Sequence, residues 1–367
     1  MGLIRTTLAL SVVFAHVGLN VLVGGTLAVQ MFYVISGFLI AHVVSLGVYT
    51  NLRTFYLNRF LRLYPAYIVV AVLSLVALAI AKTPKFAEFG ELPFGARGLL
   101  AAVNALLFGQ DWIFFLKTAG TTLAIADDVF DTNPKLYRFL LVPQAWTLGV
   151  EISFYLVAPF VLIRPRLIVL LAMGSFLLKG RSLYLDFGWR DPWSYRLFPF
   201  ELGWFLLGAL SHRYIKPIAE AYNKRYSHIR PDIGAVIVMM SLLIMHPLMP
   251  LPQMPWINFM LLGICVVLLP FLFVYQNSSS WDRTLGDLSY PIYIVHMLVV
   301  YSMIYLQRDF GVAPEGMLFG GAATIASVVA ACALLVCVIR PTEVIRARIK
   351  RNLGSTHSVP NRSLVHP

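Results

Sequence analysis

Arg5 and His16 lie eleven residues apart in an apolar run, "RTTLALSVVFAH", with no charge between them. On a helix that separation is three turns to within about 20°, so both side chains share one face, about 16 Å apart along the axis. Ionisable groups at membrane depth are costly and mark functional positions by default. A neutral histidine accepts protons near pH 7, and a nearby carboxylate can fix its tautomer and raise its basicity. Three other segments supply candidate partners. In "PQAWTLGVEISFYLVAP" the residues Gln144, Thr147, Glu151 and Tyr155 recur at helical spacing, a polar stripe on an apolar helix. His296 sits in "LGDLSYPIYIVHMLV", where Pro291 predicts a local break in the backbone ladder. Ser36 and Gly37 sit in "QMFYVISGFLI". Counted from the helix ends, His16, Ser36, Glu151 and His296 fall at similar depth on four helices, which predicts one shared polar cavity. That equipment can deprotonate a hydroxyl or relay protons in a transporter. Each residue also has a plainer use. Arg5 can snorkel, the histidines and Glu151 can join interhelical hydrogen-bond networks, and small residues let helices approach.

The elements that must position these groups are membrane helices. Of 367 residues, 59% are hydrophobic and only 13% charged, about half the charge of a soluble domain, and the mean hydropathy is +0.77. The chain reads as an all-α, polytopic transmembrane bundle. Ten spans are expected, at about 4–22, 28–48, 64–81, 144–163, 166–180, 197–213, 232–249, 256–275, 288–307 and 318–340. A further apolar stretch, 99–116, is interrupted by Asn104, Gln110 and Asp111; a re-entrant or interfacial segment is expected there rather than an eleventh span. Basic short loops at 49–63, 164–166 and 212–231 alternate with uncharged loops at 23–27 and 247–255, while 82–143 balances six basic residues against six acidic ones. The positive-inside rule then places both termini in the cytoplasm. The first apolar run is longer than a signal-peptide core and shows no small-residue cleavage site.

The net charge of +12 fits loops that face anionic lipid, so no nucleic-acid partner is expected. Cys265, Cys332 and Cys337 lack metal-binding spacing, and no metal is expected. Walker, GxGxxG, GxSxG and HExxH motifs are absent from the sequence, which leaves ATP hydrolysis, dinucleotide chemistry, elbow-type serine hydrolysis and zinc proteolysis without support. Residues 1–340 read as one transmembrane domain and 341–367 as a short basic cytoplasmic tail, expected to be unstructured. Arg59 and Arg62, in "NRFLRLYPAY", stand three residues apart and point the same way just before a span. Positive-inside loop charge explains arginine at this place but not two on one face among aromatics. Arginine pairs match phosphate bidentately, so a cytosolic phosphorylated ligand is expected.

Taken in order, Arg5 with His16 as an R-x10-H motif, "FYVISGFLI", "RFLRLYPAY", "WTLGVEISFYLVAP" and "LGDLSYPIYIVH" resemble the bacterial integral-membrane acyltransferase-3 family over almost the whole chain. That family modifies surface polysaccharides, Nod factors and some macrolides with acyl groups. The resemblance implies that His16 is the catalytic histidine, as general base or transient acyl carrier, with Arg5 its motif partner. It implies that Arg59 and Arg62, together with Arg5, serve a cytoplasmic co-substrate, acetyl-CoA or another acyl-CoA. Glu151 matches the first acid of a W-x-L-x-V-E pattern and would orient His16 or bind the acceptor. Many members carry a second acid next, where this chain has Ile152. Tyr33, Ser36, Trp146, Tyr155 and His296 would line the substrate cavity. The acceptor would be a glycan or lipid-linked glycan, handled in a multi-pass protein of the bacterial inner membrane. Some relatives append an extracytoplasmic SGNH-type domain, and none is expected here. The alternative is a proton-coupled transporter or flippase for a glycan or small molecule, but the internal repeat and paired broken helices that mark many transporters are not visible in the sequence.

Overall fold

The structure, a computed structural model, describes residues 1–47, 51–126, 128–249, 256–310 and 316–355, with the backbone alone at 307–310 and 350–355. Helices dominate it. In order they are α1 (Gly2–His16), α2 (Gly24–Ser45), α3 (Leu52–Ile80), the short α4 (Lys85–Glu91) and α5 (Phe94–Leu106). A small hairpin, β1 (Leu116–Ala119) and β2 (Thr122–Ile125), leads into α6 (Trp146–Val161), α7 (Pro165–Tyr184), α8 (Phe198–Leu210) and α9 (Lys216–Arg225). Then follow α10 (Pro231–Met245), α11 (Trp256–Ser278), α12 (Ser280–Phe310), α13 (Met317–Leu334) and α14 (Arg340–Ser355). Local signals explain several starts. Asn51 accepts the Thr54 amide as N-cap of α3, and Pro165 and Pro231 open α7 and α10, where a missing N–H costs nothing.

Each of the ten expected spans contains a helix, and the molecule is a helical, multi-pass membrane protein. Seven helices are long and apolar enough to cross a bilayer. Three of the ten expected spans are not among these seven: α1 has 15 residues, α6 has 16 and α8 has 13, while α10, with 15, reaches 22 only with the 3-10 turns that flank it. The short α8 is prolonged by a π-turn at Ser211–Ile215 that joins it to α9. The uncharged loop expected at 247–255 lies largely outside the described residues.

Four expectations need correction. The first span ends at His16, not near residue 22, because Gly18 adopts φ +75° and closes the helix: Leu19 N–H bonds to the Phe14 carbonyl at 2.8 Å and Gly18 N–H to the Ala15 carbonyl. α12 runs unbroken through Pro291, its flank tied to α3 by the Tyr290 hydroxyl donating to the Leu63 carbonyl at 2.5 Å. Residues 341–355, expected as an unstructured tail, are helical in α14, while 356–367 lie outside the described residues. The 99–116 stretch is divided: α5 ends at Leu107, which takes φ +62°, and 111–115 form a separate 3-10 turn.

The polar residues that interrupt that stretch pin it in place. Tyr67 of α3 donates to the Asn104 carbonyl at 2.6 Å, Gln110 Nε2 donates to the Tyr67 hydroxyl at 2.7 Å, and Asn104 Oδ1 accepts the Leu141 amide at 2.8 Å. At 13 residues α5 is about 20 Å long, and it is not among the seven helices long and apolar enough to cross a bilayer. Asp111 is packed beneath α6 against Gly149, where a Cβ would approach its carboxylate within 2.8 Å. Burial pushes its carboxyl up to about 7. The folded chain therefore keeps this proton over a range where the unfolded chain loses it, so stability falls as pH rises from about 4 to 7 and then levels off. Asp111→Asn is expected to raise the thermal midpoint at pH 8 and to leave it unchanged near pH 4; equal shifts at both would contradict the buried, protonated carboxyl.

Close backbone approaches set the bundle that carries the candidate site. A Cβ at Gly37 would collide with the Phe205 carbonyl, and one at Gly208 with the Val34 carbonyl, so α2 and α8 meet backbone to backbone. Gly2 and Gly286 play the same part between α1 and α12. Asp282 of α12 fixes the start of α1, accepting the Gly2 and Leu3 amides at 2.7 and 2.8 Å. Behind α2, a buried Lys179–Glu201 pair joins α7 to α8, and Gln30 donates to the second Glu201 oxygen at 3.0 Å.

Candidate active site

α1 presents Arg5 and His16 along one stripe, as their spacing predicts, but to two different chambers. Arg5 borders a narrow chamber of about 90 Å³ with Arg62, Ser36, Glu151, Tyr155 and Tyr33. His16 borders a chamber of about 600 Å³ with Gln144, Trp146, Tyr195, Arg196 and Arg138. Val29 and Tyr293 line both, so the two spaces abut at these side chains.

In the arginine chamber, Arg5 of α1 and Arg62 of α3 converge, and among the described residues neither forms an ion pair or side-chain hydrogen bond. Glu151 is anchored through one oxygen: Oε1 accepts from the Ser36 hydroxyl at 2.6 Å and from the Tyr155 hydroxyl. Its Oε2 makes no hydrogen bond among the described residues. Ser36 and Gly37 thus divide the two uses foreseen for them, Ser36 facing the chamber and Gly37 packing on α8. Arg59 does not join Arg62. It is buried, donates to Asn58 Oδ1 at 3.0 Å and lies 5.8 and 5.9 Å from the Phe55 and Tyr155 rings. Residues three apart on a helix differ by about 60° in direction, enough to send Arg59 beneath Tyr155 while Arg62 reaches the chamber. The arginines that share the chamber are therefore Arg5 and Arg62.

Tyr293 is the partition, and the expected polar stripe of α6 holds it. Its hydroxyl donates to the Gln144 carbonyl at 3.0 Å and stands 2.6 Å from the Thr147 hydroxyl. Gln144 Nε2 in turn donates to the Ile294 and Tyr293 carbonyls at 2.7 and 3.3 Å. The Gln144–Thr147 half of the stripe clamps α6 to α12, and the Glu151–Tyr155 half faces α2.

In the histidine chamber, His16 Nδ1–H donates to the Val12 carbonyl at 2.8 Å. A carbonyl only accepts, so the neutral ring keeps its lone pair on Nε2, and the side chain is exposed to the chamber. His296 is fully buried behind it, its ring centroid 5.0 Å away, with Nδ1–H donating to the Tyr293 carbonyl at 2.8 Å and Nε2 without a hydrogen-bond partner among the described residues. The single polar cavity expected from residue depths is thus corrected. Ser36 and Glu151 share the arginine chamber, His16 opens into the other, and His296 lines neither. Depth counts could not see Tyr293 between them, and the early end of α1 moves His16 outward. Glu151 does not contact His16. Of the other expected lining residues, Tyr33 and Tyr155 face the arginine chamber and Trp146 the histidine chamber.

Several residues at these chambers carry little sequence signal. Arg196, just before α8, binds Asp191 through two hydrogen bonds of 2.5 and 2.6 Å, and its guanidinium lies 4.0 and 4.3 Å from the Phe114 and Trp146 ring centroids. Lys85 of α4 and Arg138 reach the chamber from the 82–143 segment. Among the described residues no group of three or more His, Cys, Asp or Glu side chains is placed to hold a metal ion.

Comparison with known proteins places this geometry. The acyltransferase-3 profile, described as an acyltransferase domain, matches residues 1–339. The chain is 26% identical over 184 residues to a protein of Bacillus subtilis named as a proposed peptidoglycan O-acetyltransferase, YrhL, a match that covers 49% of this chain and 24% of that protein. It is 33% identical over 138 residues to an uncharacterized protein of Haemophilus influenzae, covering 36% of this chain and 48% of the other. It is 25% identical over 166 residues to a Staphylococcus aureus protein named as a proposed O-acetyltransferase, covering 44% and 24%. The chain thus spans between a quarter and a half of the length of these relatives. No solved structure matches it.

Proposed function

The chain belongs to the acyltransferase-3 family, and from that premise we propose that it moves an acyl group, acetyl in the first instance, from cytoplasmic acyl-CoA to a hydroxyl of a cell-surface or lipid-linked glycan. The proposal includes ten crossings with both termini in the cytoplasm of a bacterial cell and the bundle in its inner membrane. That orientation turns the arginine chamber toward the cytoplasm and the histidine chamber toward the outside. The relative named as a proposed peptidoglycan O-acetyltransferase supports a glycan acceptor. The observation that carries the reading is the abutment of two chambers at Tyr293, one holding two converging arginines and the other a histidine with a free Nε2.

In this mechanism Arg5 and Arg62 hold the phosphates of the donor at the mouth of the narrow chamber, where two charge-assisted contacts fix its direction. The pantetheine arm lies along the chamber, and Glu151 Oε2 accepts one of its amide N–H groups. The thioester passes the Tyr293 ring to reach His16. An acceptor hydroxyl approaches Nε2 from the wide chamber. Nε2 takes the proton as the hydroxyl oxygen attacks the thioester carbon. The C–O ester bond forms, the C–S bond breaks, and the proton held by His16 passes to the departing thiolate. Val12 keeps the ring in the right tautomer throughout. Release of free CoA from acetyl-CoA by the purified chain in nanodiscs, accelerated by an extract of cell-envelope glycans, is the expected result. A transporter or flippase would release none.

A further inference from the structure

Among the described residues, the wall of the histidine chamber carries three cations, Lys85, Arg138 and Arg196, and no aspartate or glutamate. They are not equivalent. The Arg196 charge is spent on Asp191, and its flat face is laid on Phe114 and Trp146. Lys85 and Arg138 form no ion pair among the described residues; Lys85 Nζ rests 5.5 Å from the Tyr301 ring centroid instead. Burial and the neighbouring Arg138 push the Lys85 ammonium below its usual range. Glu88, one turn along α4, partly offsets the Lys85 charge, but with Glu91 it borders a separate cleft that Arg138 also lines and not the histidine chamber. Two like charges are therefore held together at one rim of a chamber that also contains His16, with aromatic rings from Trp146, Tyr137 and Tyr305 around them. At about 600 Å³ the space is in the range of small-ligand sites. Aromatic walls suit the apolar faces of sugar rings, while a pair of cations without an ion-pair partner on the chamber side is relieved by an anion.

We propose that the histidine chamber binds an anionic glycan, its negative group between Lys85 and Arg138 and its reacting hydroxyl at His16. The chemistry is a sugar-linked oxyanion, either the carboxylate of an acidic sugar or the diphosphate that joins a glycan to its lipid carrier. The placement of the hydroxyl rests on the acyl-transfer reading; the anion preference does not.

The test is binding to the purified full chain in nanodiscs of phosphatidylcholine. Two matched probe pairs are used: tetragalacturonate against its neutral methyl ester, and N-acetylglucosamine linked to a short polyprenyl diphosphate against the same sugar linked to the neutral alcohol. At least one anionic probe should bind about tenfold or more tightly than its neutral counterpart, with the advantage shrinking at high salt. The pair that shows it identifies the source of the anion. Lys85→Gln/Arg138→Gln should abolish the preference, and Lys85→Arg/Arg138→Lys should restore it, with thermal midpoints reporting that both variants fold. Equal binding within both pairs, as expected if these cations only meet lipid headgroups, would overturn the inference, and so would a preference that survives the glutamine variant. Acetyl-CoA turnover is read separately. Turnover without anion preference sinks this inference alone, and anion preference without turnover sinks the acyl-transfer reading alone.

Discussion

His16→Ala is expected to reduce acyl transfer by about 10²- to 10⁴-fold, the range typical of a positioned general base, while acetyl-CoA binds at wild-type strength. The split follows from the two chambers. On the proposed donor path the phosphates lie with Arg5 and Arg62, which His16 does not share a chamber with. The substitution should also be benign for folding. The side chain is exposed to its chamber and makes one hydrogen bond, to a Val12 carbonyl in the last turns of α1. Turnover numbers and acetyl-CoA affinity measured on the same preparation separate the two effects. A variant that transfers at the wild-type rate would remove His16 from the chemistry, and one that loses donor affinity equally would point to a role in binding.

The second large effect concerns the donor. Arg5→Ala/Arg62→Ala should weaken acetyl-CoA binding by about 100-fold or more, since hydrogen bonds to charged groups contribute about 1.5–3 kcal/mol each. The salt dependence of binding should fall with it. Arg59→Ala should behave differently. Arg59 is buried beneath Tyr155 and beside Asn58, so its loss should lower the thermal midpoint more than the donor affinity. Isothermal titration with CoA and thermal unfolding in detergent distinguish the three arginines. Donor affinity unchanged in the Arg5/Arg62 variant, or lost through Arg59 alone, would contradict the assignment.

The helices were legible in the sequence because apolar runs of near-span length allow little else in a bilayer. The shared stripe of Arg5 and His16 was legible too, since it depends only on helical period. The end of α1 at Gly18 was not, because the apolar stretch continues to residue 22. The partition by Tyr293 was not legible. It depends on Thr147 of α6 and Gln144, in the turn just before it, meeting α12, a contact across 146 to 150 residues of chain. For the same reason Glu151 could be placed at the depth of His16 without touching it. The RxxR spacing put Arg59 and Arg62 on one face, but the structure brings only Arg62 to the chamber, because a 60° offset is small on a helix diagram and decisive beside a packed tyrosine. Arg196 and Asp191 lie in a loop, where local period carries no signal and tertiary packing sets every contact.

The central claim is that donor and acceptor enter from opposite faces and meet across Tyr293. Sealed membrane vesicles of both orientations, made from cells expressing the chain, test it most directly when [1-¹⁴C]acetyl-CoA is offered to one face at a time and label is counted in the glycan fraction. Label should enter glycan only when acetyl-CoA is supplied at the face that bears Arg5 and Arg62, and should fall to background with His16→Ala. Equal labelling from either face, or labelling that survives His16→Ala, would contradict it.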